Sequence, residues 1–375
     1  MDDPMSYTTI DDAATPVVER TDDDRDNAAH AAPGRLRDKF GRTITDLRVS
    51  ITDRCNFKCV YCRTGNEGAQ YAELSISDYL RIVRRFVSLG VEKVRLTGGE
   101  PLLRSGLIEM VGELAKMRTA YMPDGTRVLD SAQCRPLDIA LTTNGHLLEE
   151  LAQPLKDAGL NRITVSMDAV DAETFAKITR VPRSFNRVLA GIRRAKAVGL
   201  GPVKVNCVLL RGFNDGQIEQ FADFSRREGV IVRFIEFMPL EEDRSWKPET
   251  VVRMNEIVTR LNAYRPLAEL APNSASETAK RFTFDDGIGE IGIIAPVSRP
   301  FCGQCSRVRL TSDGKIRTCL FSQSDHDLYG EMARGGTDDE LDAYIRRVVM
   351  QKEARHHIGE PGFQKPSRNM VHIGG

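Results

Sequence analysis

The sequence predicts an α/β protein built as a partial (β/α)6 barrel of the TIM type, followed by an α+β extension. Two observations favour this class. From Asp46 onward, six short apolar runs alternate with stretches of helical periodicity, which is typical of parallel sheets with crossover helices. Several of the helical stretches end at a glycine, which readily adopts the left-handed conformation that terminates a helix.

The barrel elements follow in regular order. The predicted strands are 47–52, 91–97, 138–143, 162–168, 203–210 and 230–238. The predicted helices are 77–89, 107–117, 146–158, 185–198 and 217–227. At ~30 residues or more per βα unit, six units account for most of residues 46–240. Residues 118–138 predict a longer loop between the second helix and the third strand.

The pattern changes after Pro239. The predicted elements of the extension are a helix at 255–261, short strands at 281–284, 288–294, 308–311 and 316–318, and a final helix containing 344–350. Residues 1–40 contain ten acidic and five basic residues and little to bury, so they predict a disordered leader. We therefore predict three regions: an acidic leader (1–40), a barrel (41–240) and a C-terminal region (241–375).

Composition excludes several classes of protein. Among 375 residues, 41% are hydrophobic and 28% are charged, as in ordinary globular proteins. The chain has no run of eighteen apolar residues, and its acidic start lacks the basic region of a secretory signal, so we predict no membrane span and a cytoplasmic location. The formal net charge is zero and no basic stripe occurs, so no nucleic-acid partner is predicted.

Strand parity predicts a cationic barrel interior. Alternate residues of a barrel strand face inward and outward, and in the first strand Leu47 and Val49 oppose Arg48. If helices cover the apolar faces, the cations that converge inside are Arg48, Lys93, Arg95 and Lys204. Buried cations need anionic partners, and a polyphosphate ligand fits. The alternative is that they lie in solvent at strand ends or pair with Asp and Glu.

The first of two cysteine clusters, Cys55, Cys59 and Cys62, forms a C-x3-C-x2-C run just after the first strand. Three thiolates on one loop suit a [4Fe–4S] cluster, in which they leave one iron open to bind an amine and a carboxylate. A structural zinc site is the alternative, but it usually has four ligands and C-x2-C pairs.

The second cluster comprises Cys302, Cys305 and Cys319. A fourth protein ligand is missing, and His326 could complete a Cys3His zinc site, which remains an alternative to an iron–sulfur cluster. Arg307 and Arg309 lie between the cysteines, where they would suit an anionic ligand bound at an open iron. Six of the eight cysteines thus fall in two triads that favour metal binding over disulfides.

These features resemble the radical SAM superfamily. The run Thr97-Gly98-Gly99-Glu100-Pro101 follows the second strand, as the GGEP motif of that superfamily does. The resemblance implies that a reduced [4Fe–4S] cluster cleaves S-adenosylmethionine (SAM) to methionine and a 5′-deoxyadenosyl radical. In such enzymes the cofactor carries the radical chemistry, while the protein supplies binding, orientation and exclusion.

The chain also resembles a narrower family, the GTP 3′,8-cyclases of molybdenum cofactor biosynthesis (molybdenum cofactor biosynthesis protein A). The segments that carry this resemblance are Arg48, VRLTGGEP at 94–101, LTTNG at 141–145, VSMDA at 165–169, VKVN at 203–206, RFIEFM at 233–238, the C-terminal cysteines and IGG at 373–375. Only the acidic leader and the 118–138 loop depart from the family pattern.

The resemblance implies a role for each matching residue. The SAM cluster is held by Cys55, Cys59 and Cys62, and SAM by Tyr61, Gly99, Ser166 and Met238. A second [4Fe–4S] cluster, which binds the guanine of GTP, is held by Cys302, Cys305 and Cys319. The GTP contacts are Arg48, Lys93, Arg95, Thr142, Lys204, Arg307, Val308 and Arg309. The catalytic candidates are Arg233 and the tail glycines Gly374 and Gly375, which enter the active site.

The implied reaction converts GTP to 3′,8-cyclo-7,8-dihydro-GTP, the first step of molybdenum cofactor biosynthesis. The implied partners are the cyclic pyranopterin monophosphate synthase that takes the product, a flavodoxin- or ferredoxin-type electron donor and a second copy in a homodimer. Two rivals are a peptide-modifying radical SAM maturase and a non-enzymatic zinc or electron-transfer module. Only three cysteines follow residue 300, fewer than such maturases carry, and the SAM motif argues against the module.

Overall fold

Six parallel strands alternate with helices in the computed structural model, which describes residues 34–62, 69–122, 125–128, 130–241 and 246–373. Its strands are β1 (Asp46–Ser50), β2 (Lys93–Thr97), β3 (Arg118–Thr119), β4 (Arg135–Pro136), β5 (Asp138–Thr143), β6 (Arg162–Ser166), β7 (Lys204–Leu209), β8 (Ile231–Glu236), β9 (Leu267–Leu270), β10 (Lys280–Phe284), β11 (Glu290–Ile294), β12 (Arg307–Leu310), β13 (Lys315–Arg317) and β14 (His326–Asp327).

Helices connect the parallel strands and continue into the C-terminal region. They are α1 (Ile76–Ser88), α2 (Leu107–Ala115), α3 (Leu148–Asp157), α4 (Ala172–Thr179), α5 (Phe185–Ala197), α6 (Ile218–Glu228), α7 (Met254–Tyr264), α8 (Leu328–Ala333), α9 (Asp338–Val349) and α10 (Met370–Ile373). The described residues contain no helix long and apolar enough to cross a membrane.

The six predicted barrel strands and five predicted barrel helices are all present, with ends that differ by a few residues. Helix α4 was not predicted from the sequence. It starts where the Asp171 side chain accepts a hydrogen bond from the backbone N–H of Thr174. That contact satisfies one of the free N–H groups of the first turn. The predicted 118–138 loop is partly wrong, because β3 and β4 pair as a short antiparallel hairpin within it.

The C-terminal region extends both edges of the barrel sheet. In the described residues the strand order is β14-β13-β12-β1-β2-β5-β6-β7-β8-β11-β10-β9. Strand β12 runs parallel to β1, and β11 runs parallel to β8. The second cysteine cluster flanks β12 and β13, so this edge pairing brings it beside the barrel.

The end of the predicted leader is ordered, which corrects its boundary at residue 40. Leu36 is fully buried, its backbone N–H donates to Leu89 O at 2.8 Å, and its carbonyl accepts from Ile44 N at 2.8 Å. Residues 1–33 lie outside the described residues. Residues 35–375 form one unit, and the boundary at 240 stays a prediction.

Strand parity is confirmed by burial. Leu47 and Val49 are fully buried on the helix-covered side, whereas Arg48 lines an internal cavity. The same alternation holds in β7, where Val205 and Cys207 are buried and Lys204 faces the cavity. The apolar residues that drive folding therefore leave every second position free for polar chemistry.

Candidate active site

A cavity of about 810 Å³ occupies the barrel interior. The predicted site residues that line it are Arg48, Cys55, Cys59, Tyr61, Cys62, Lys93, Arg95, Gly99, Thr142, Ser166, Lys204, Arg233, Met238, Cys302, Cys305, Arg307, Arg309 and Cys319. Val308 is not among the lining residues, because its side chain points from β12 into the hydrophobic core. Gly374 and Gly375 lie outside the described residues.

The N-terminal triad, Cys55, Cys59 and Cys62, lies on a loop that docks onto the end of α4. The backbone N–H of Lys58 donates to Thr179 O at 3.1 Å, and Cys62 N donates to Cys59 O at 3.0 Å. Phe57, between the first two cysteines, is buried and packs edge-on against Phe175. One buried aromatic side chain thus anchors the loop while its cysteines stay on the cavity wall.

The glycine motif closes tightly against this loop. A side chain at Gly98 would meet Thr52 O at 2.2 Å, and one at Gly99 would meet Arg54 O at 2.3 Å. Gly98 also has a φ of 138°, which favours glycine. Only glycine therefore allows the backbone of this turn to approach the start of the cysteine loop.

Glu100 stabilises the same glycine turn through its side chain. Its buried carboxylate accepts hydrogen bonds from Leu102 N at 2.9 Å, Thr143 Oγ1 at 2.7 Å and Asn144 N at 2.6 Å. Burial raises the pKa of Glu100 to about 7 against the opposing effect of these hydrogen bonds. The carboxylate therefore ties the glycine turn to the loop after β5.

Asp168 is a residue of this wall that the sequence analysis quoted in a motif but assigned no role. It is buried, its Oδ2 accepts from Tyr61 Oη at 2.7 Å, and its Oδ1 accepts from Val208 N at 2.8 Å. Burial raises the pKa of Asp168 to about 6. Its position two residues after β6 and after the predicted SAM contact Ser166 could have identified it from the sequence as a site residue.

The cations predicted from parity lie in register across neighbouring strands. Arg48 in β1 is aligned with Arg309 in β12 and with Arg95 in β2. Two residues earlier, Asp46 is aligned with Arg307 and with Lys93. The C-terminal strand therefore continues two rows of charged residues that begin in the barrel.

Carboxylates neutralise only part of this cationic wall. Lys93 Nζ lies 2.9 Å from Asp46 Oδ2, so the alternative of pairing with an acid is correct for Lys93. Burial acts to raise the pKa of Asp46, but Lys93, Arg48 and Arg95 outweigh it and lower that pKa to about 2. Arg162, a cavity residue that the sequence analysis missed, pairs with Asp138.

The remaining cations repel one another. Burial, together with Arg309 and Arg307, lowers the pKa of Arg48 well below its usual range. Burial and neighbouring cations also lower the pKa of Arg233 to about 9 and that of Lys204 to about 8. Depressed cation pKa values of this origin mark a site that is short of negative charge, as a polyanion-binding site is before it binds its ligand.

The C-terminal triad, Cys302, Cys305 and Cys319, faces the same cavity in a cationic setting. Arg307 Nε and Nη2 lie 3.4 and 3.3 Å from Cys305 Sγ. Burial acts to raise the pKa of Cys305, but Arg307 and Lys352 outweigh it and lower that pKa to about 6. Cys302 is held through its carbonyl, which accepts from Arg42 Nη1 at 2.8 Å.

The candidate fourth ligand of a zinc site lies away from the C-terminal triad's cavity. His326 lies in β14 and is not among the residues that line the cavity. Throughout the described part of the chain, no three His, Cys, Asp or Glu side chains are grouped as a single metal ion requires. Both triads consist of thiols alone, which is the donor set of an iron–sulfur cube that binds each cysteine through a different iron.

The chain up to Ile373 reaches the cavity wall. Met370 and Val371 line the cavity, and Ile373 O accepts from Arg309 Nη1 at 3.3 Å. Arg368 anchors this segment, because its guanidinium pairs with Asp313 at 2.8 Å and with Asp325 at 2.5 Å. The next two residues of the chain are Gly374 and Gly375.

Comparison with known proteins assigns a family to each half of the chain. The model of the Radical SAM superfamily matches residues 49–225, and the model named Molybdenum Cofactor Synthesis C matches residues 230–358. The first match begins within β1 and ends within α6, and the second contains the C-terminal triad.

Relatives named GTP 3′,8-cyclase match nearly the whole chain. The relative from Acidothermus cellulolyticus is 40% identical over 333 residues, which cover 86% of this chain and 87% of the relative. The relative from Mycolicibacterium smegmatis is 41% identical over an alignment of 384 positions, which covers 98% of this chain and all of the relative. This chain belongs to the GTP 3′,8-cyclase family.

Solved structures support the fold of this cyclase family member. Streptococcus suis SuiB bound to S-adenosylmethionine has a TM-score of 0.55 at 14% identity, covering 86% of this chain and 76% of SuiB. The histidine-tagged anSMEcpe with bound AdoMet has a TM-score of 0.51 at 14% identity, with 83% and 78% coverage. The barrel is thus a radical SAM fold, whose cofactors are SAM and an iron–sulfur cluster.

Proposed function

We propose that this chain converts GTP to 3′,8-cyclo-7,8-dihydro-GTP in the first step of molybdenum cofactor biosynthesis. One observation carries the proposal for the site: two cysteine triads share one cavity, and an aligned row of arginines lines the same cavity. A radical generated at one triad would meet, inside the same enclosure, a nucleotide held at the other.

The N-terminal triad would hold the [4Fe–4S] cluster of SAM cleavage. When bound, this cluster supplies the electron that splits SAM into methionine and the radical that removes hydrogen from the ribose of GTP. Gly99 and Ser166 would bind and orient SAM together with Tyr61 and Met238. Burial and the neighbouring Asp168 raise the pKa of the Cys59 thiol, so a cationic metal centre bound there would have to displace the thiol proton.

The C-terminal triad would hold a second [4Fe–4S] cluster with an open iron for the guanine of GTP. Arg307 and Arg309 lie beside the triad, where two guanidinium groups can bind an anion bidentately. The residues that would receive the triphosphate or ribose are Arg48, Lys93, Arg95, Thr142, Lys204 and Arg233. Binding of the anion would offset the burial and the neighbouring cations that lower the pKa values of Arg48, Lys204 and Arg233.

Enclosure completes the proposed site. Gly374 and Gly375 would extend from Ile373 into the cavity, because residues without side chains pass through a narrow space. Exclusion of water and oxygen protects a radical from side reactions. We further propose a flavodoxin- or ferredoxin-type electron donor, product transfer to the cyclic pyranopterin monophosphate synthase, a homodimer and a cytoplasmic location.

Anaerobic incubation of the reconstituted chain with SAM, a reductant and GTP tests this function. We expect equal amounts of 5′-deoxyadenosine and a cyclised nucleotide of unchanged mass that no longer co-elutes with GTP. The matched control is Cys55→Ala, which should form neither product. Recovery of unaltered GTP from a chain with full iron content and active SAM cleavage would overturn the proposal.

A further inference from the structure

Lys352 is a buried lysine that the proposed reaction does not use. It follows α9 at residue 352, is 3% exposed and lies on the cavity wall. Its Nζ donates to Arg307 O at 3.0 Å and to Thr318 O. Arg307 and Thr318 are close to Cys305 and Cys319 in sequence, so one ammonium group bridges the two segments that bear these thiols.

The ammonium of Lys352 makes no ion pair with a carboxylate among the described residues. The adjacent carboxylate of Glu353 is instead engaged by Thr318 Oγ1 at 2.7 Å. A buried cation that only carbonyl groups solvate costs folding free energy unless an anion lies nearby. The fold therefore retains a positive charge that it does not neutralise with its own carboxylates.

This charge lies beside the segments that carry two cysteines of the C-terminal triad. The ammonium acts electrostatically on both Cys305 and Cys319. Arg307 and Arg309 add two further cations to the same corner of the cavity. Three thiolates on a [4Fe–4S] cube give a net negative charge, which increases on reduction, so the cube is the anion that this corner lacks.

We propose that Lys352 is a positioning residue and counter-charge for the C-terminal cluster. Its two hydrogen bonds fix the segment of Cys305 against the segment of Cys319, and its charge stabilises the thiolate-bound cube, the reduced form most. This inference rests on the proposed function, because it assumes that the C-terminal triad binds a cluster.

The test uses the full chain with Cys55, Cys59 and Cys62 replaced by Ala, so that iron can bind only at the C-terminal triad. Into this background are placed Lys352→Met, which removes the charge, and Lys352→Arg, which keeps it. Lys365→Met is the matched control, because Lys365 is also partly buried but lies 3.3 Å from the carboxylate of Glu241. Iron per chain, midpoint potential and unfolding temperature are measured with and without the cluster.

For Lys352→Met we expect a more negative midpoint potential. The equilibrium constant for reduction should fall on the order of tenfold, or about 59 mV for one electron. The cluster-bound protein should unfold at a higher temperature than the cluster-free protein, and this difference should be smaller in Lys352→Met. The reason is that the variant lacks the unpaired positive charge that the cluster would neutralise. Lys352→Arg and Lys365→Met should keep the parental potential and the parental gain.

The outcomes separate the inference from its premise. If the parental background binds no iron, the proposed second cluster fails. If the cluster forms and Lys352→Met lowers both unfolding temperatures equally at unchanged potential, Lys352 is merely structural and the inference fails. If Lys352→Met does not fold, Lys352→Gln, which keeps N–H donors without charge, must show the same negative shift or the inference is overturned.

Discussion

The two cysteine triads offer the same ligand atoms in opposite electrostatic settings. The N-terminal triad lies within eight residues and has the carboxylate of Asp168 among its neighbours. The C-terminal triad spans eighteen residues, and its neighbours are Arg307, Arg309 and Lys352. Burial raises the pKa of Cys59 and those of Cys302 and Cys319. Only at Cys305 do the cations Arg307 and Lys352 outweigh burial and lower the pKa to about 6.

This difference matches the charges of the two proposed ligands. SAM carries its own sulfonium and ammonium cations, so its site needs few positive side chains. GTP carries a triphosphate, and a site for it must supply the positive charge from the protein. The chain thus uses thiols at both ends of the cavity and selects the ligand by the surrounding charge.

The largest expected effect comes from replacing Cys302, Cys305 and Cys319 together by Ala. Iron should fall from about eight to about four per chain, since each cube holds four. GTP cyclisation should be lost while SAM cleavage persists, because the N-terminal triad is untouched. Iron and zinc analysis with assays of both nucleotides checks this. One zinc per parental chain with iron unaffected by the substitution would contradict it.

Deleting Gly374 and Gly375 should abolish cyclisation without changing iron content or the fold. The reason is that Arg368 and Ile373 hold the segment at the cavity wall, so two further residues would reach the substrate. The measurement is cyclised nucleotide against 5′-deoxyadenosine, with a Gly–Gly-ending peptide added to restore activity. Full cyclisation by the shortened chain would mean that the tail is a frayed terminus.

Arg309→Ala should weaken GTP binding and leave both clusters intact. Loss of a buried hydrogen bond to a charged ligand costs about 1.5–3 kcal/mol, which corresponds to a rise in KM for GTP of roughly 10- to 100-fold. Arg187→Ala, an exposed arginine paired with Glu150, is the control and should change nothing. Iron loss in proportion to activity loss would mean that Arg309 has a structural role.

The surroundings of the N-terminal triad could be predicted from the sequence better than those of the C-terminal triad, for a physical reason. Local periodicity determines β1 and its loop, so strand, parity and cysteine run can all be read from adjacent residues. The pairing of β12 with β1 joins residues about 260 positions apart, which no local pattern encodes. The alignment of Arg309 with Arg48 was therefore not predicted, although both residues were named as GTP contacts.

The same limit explains the residues that were missed. Lys352 lies three residues after the end of α9, and only tertiary packing brings its ammonium to the carbonyls of Arg307 and Thr318. Leu36 was assigned to the leader because its surroundings are charged, yet its buried side chain and two backbone hydrogen bonds attach that segment to the barrel. Composition averages over such contacts and cannot detect them.

On the SAM side, Asp168→Asn should impair SAM binding and leave GTP binding unchanged. The substitution replaces a charged acceptor of the Tyr61 hydroxyl by a neutral one, a difference of about 0.5–1.5 kcal/mol or roughly two- to tenfold in KM for SAM. Tyr61→Phe removes the same hydrogen bond from the other partner and should match it. A larger effect on KM for GTP than on KM for SAM would contradict the proposed separation of the SAM site from the GTP site.

The smallest expected effect is a pH dependence confined to the GTP side. Lys204 has a pKa lowered to about 8 by burial and by Arg233, so the free enzyme loses this cation as the pH rises through 8. Because a charged lysine favours the triphosphate, kcat/KM for GTP should fall above that pH, whereas KM for SAM should not change. A partly exposed cation contributes about 0.5–1 kcal/mol, so the fall should be roughly two- to fivefold. Lys204→Arg should move this fall to higher pH, because a guanidinium holds its proton to higher pH than an ammonium in the same position, and an unchanged fall in that variant would assign the titration to another group.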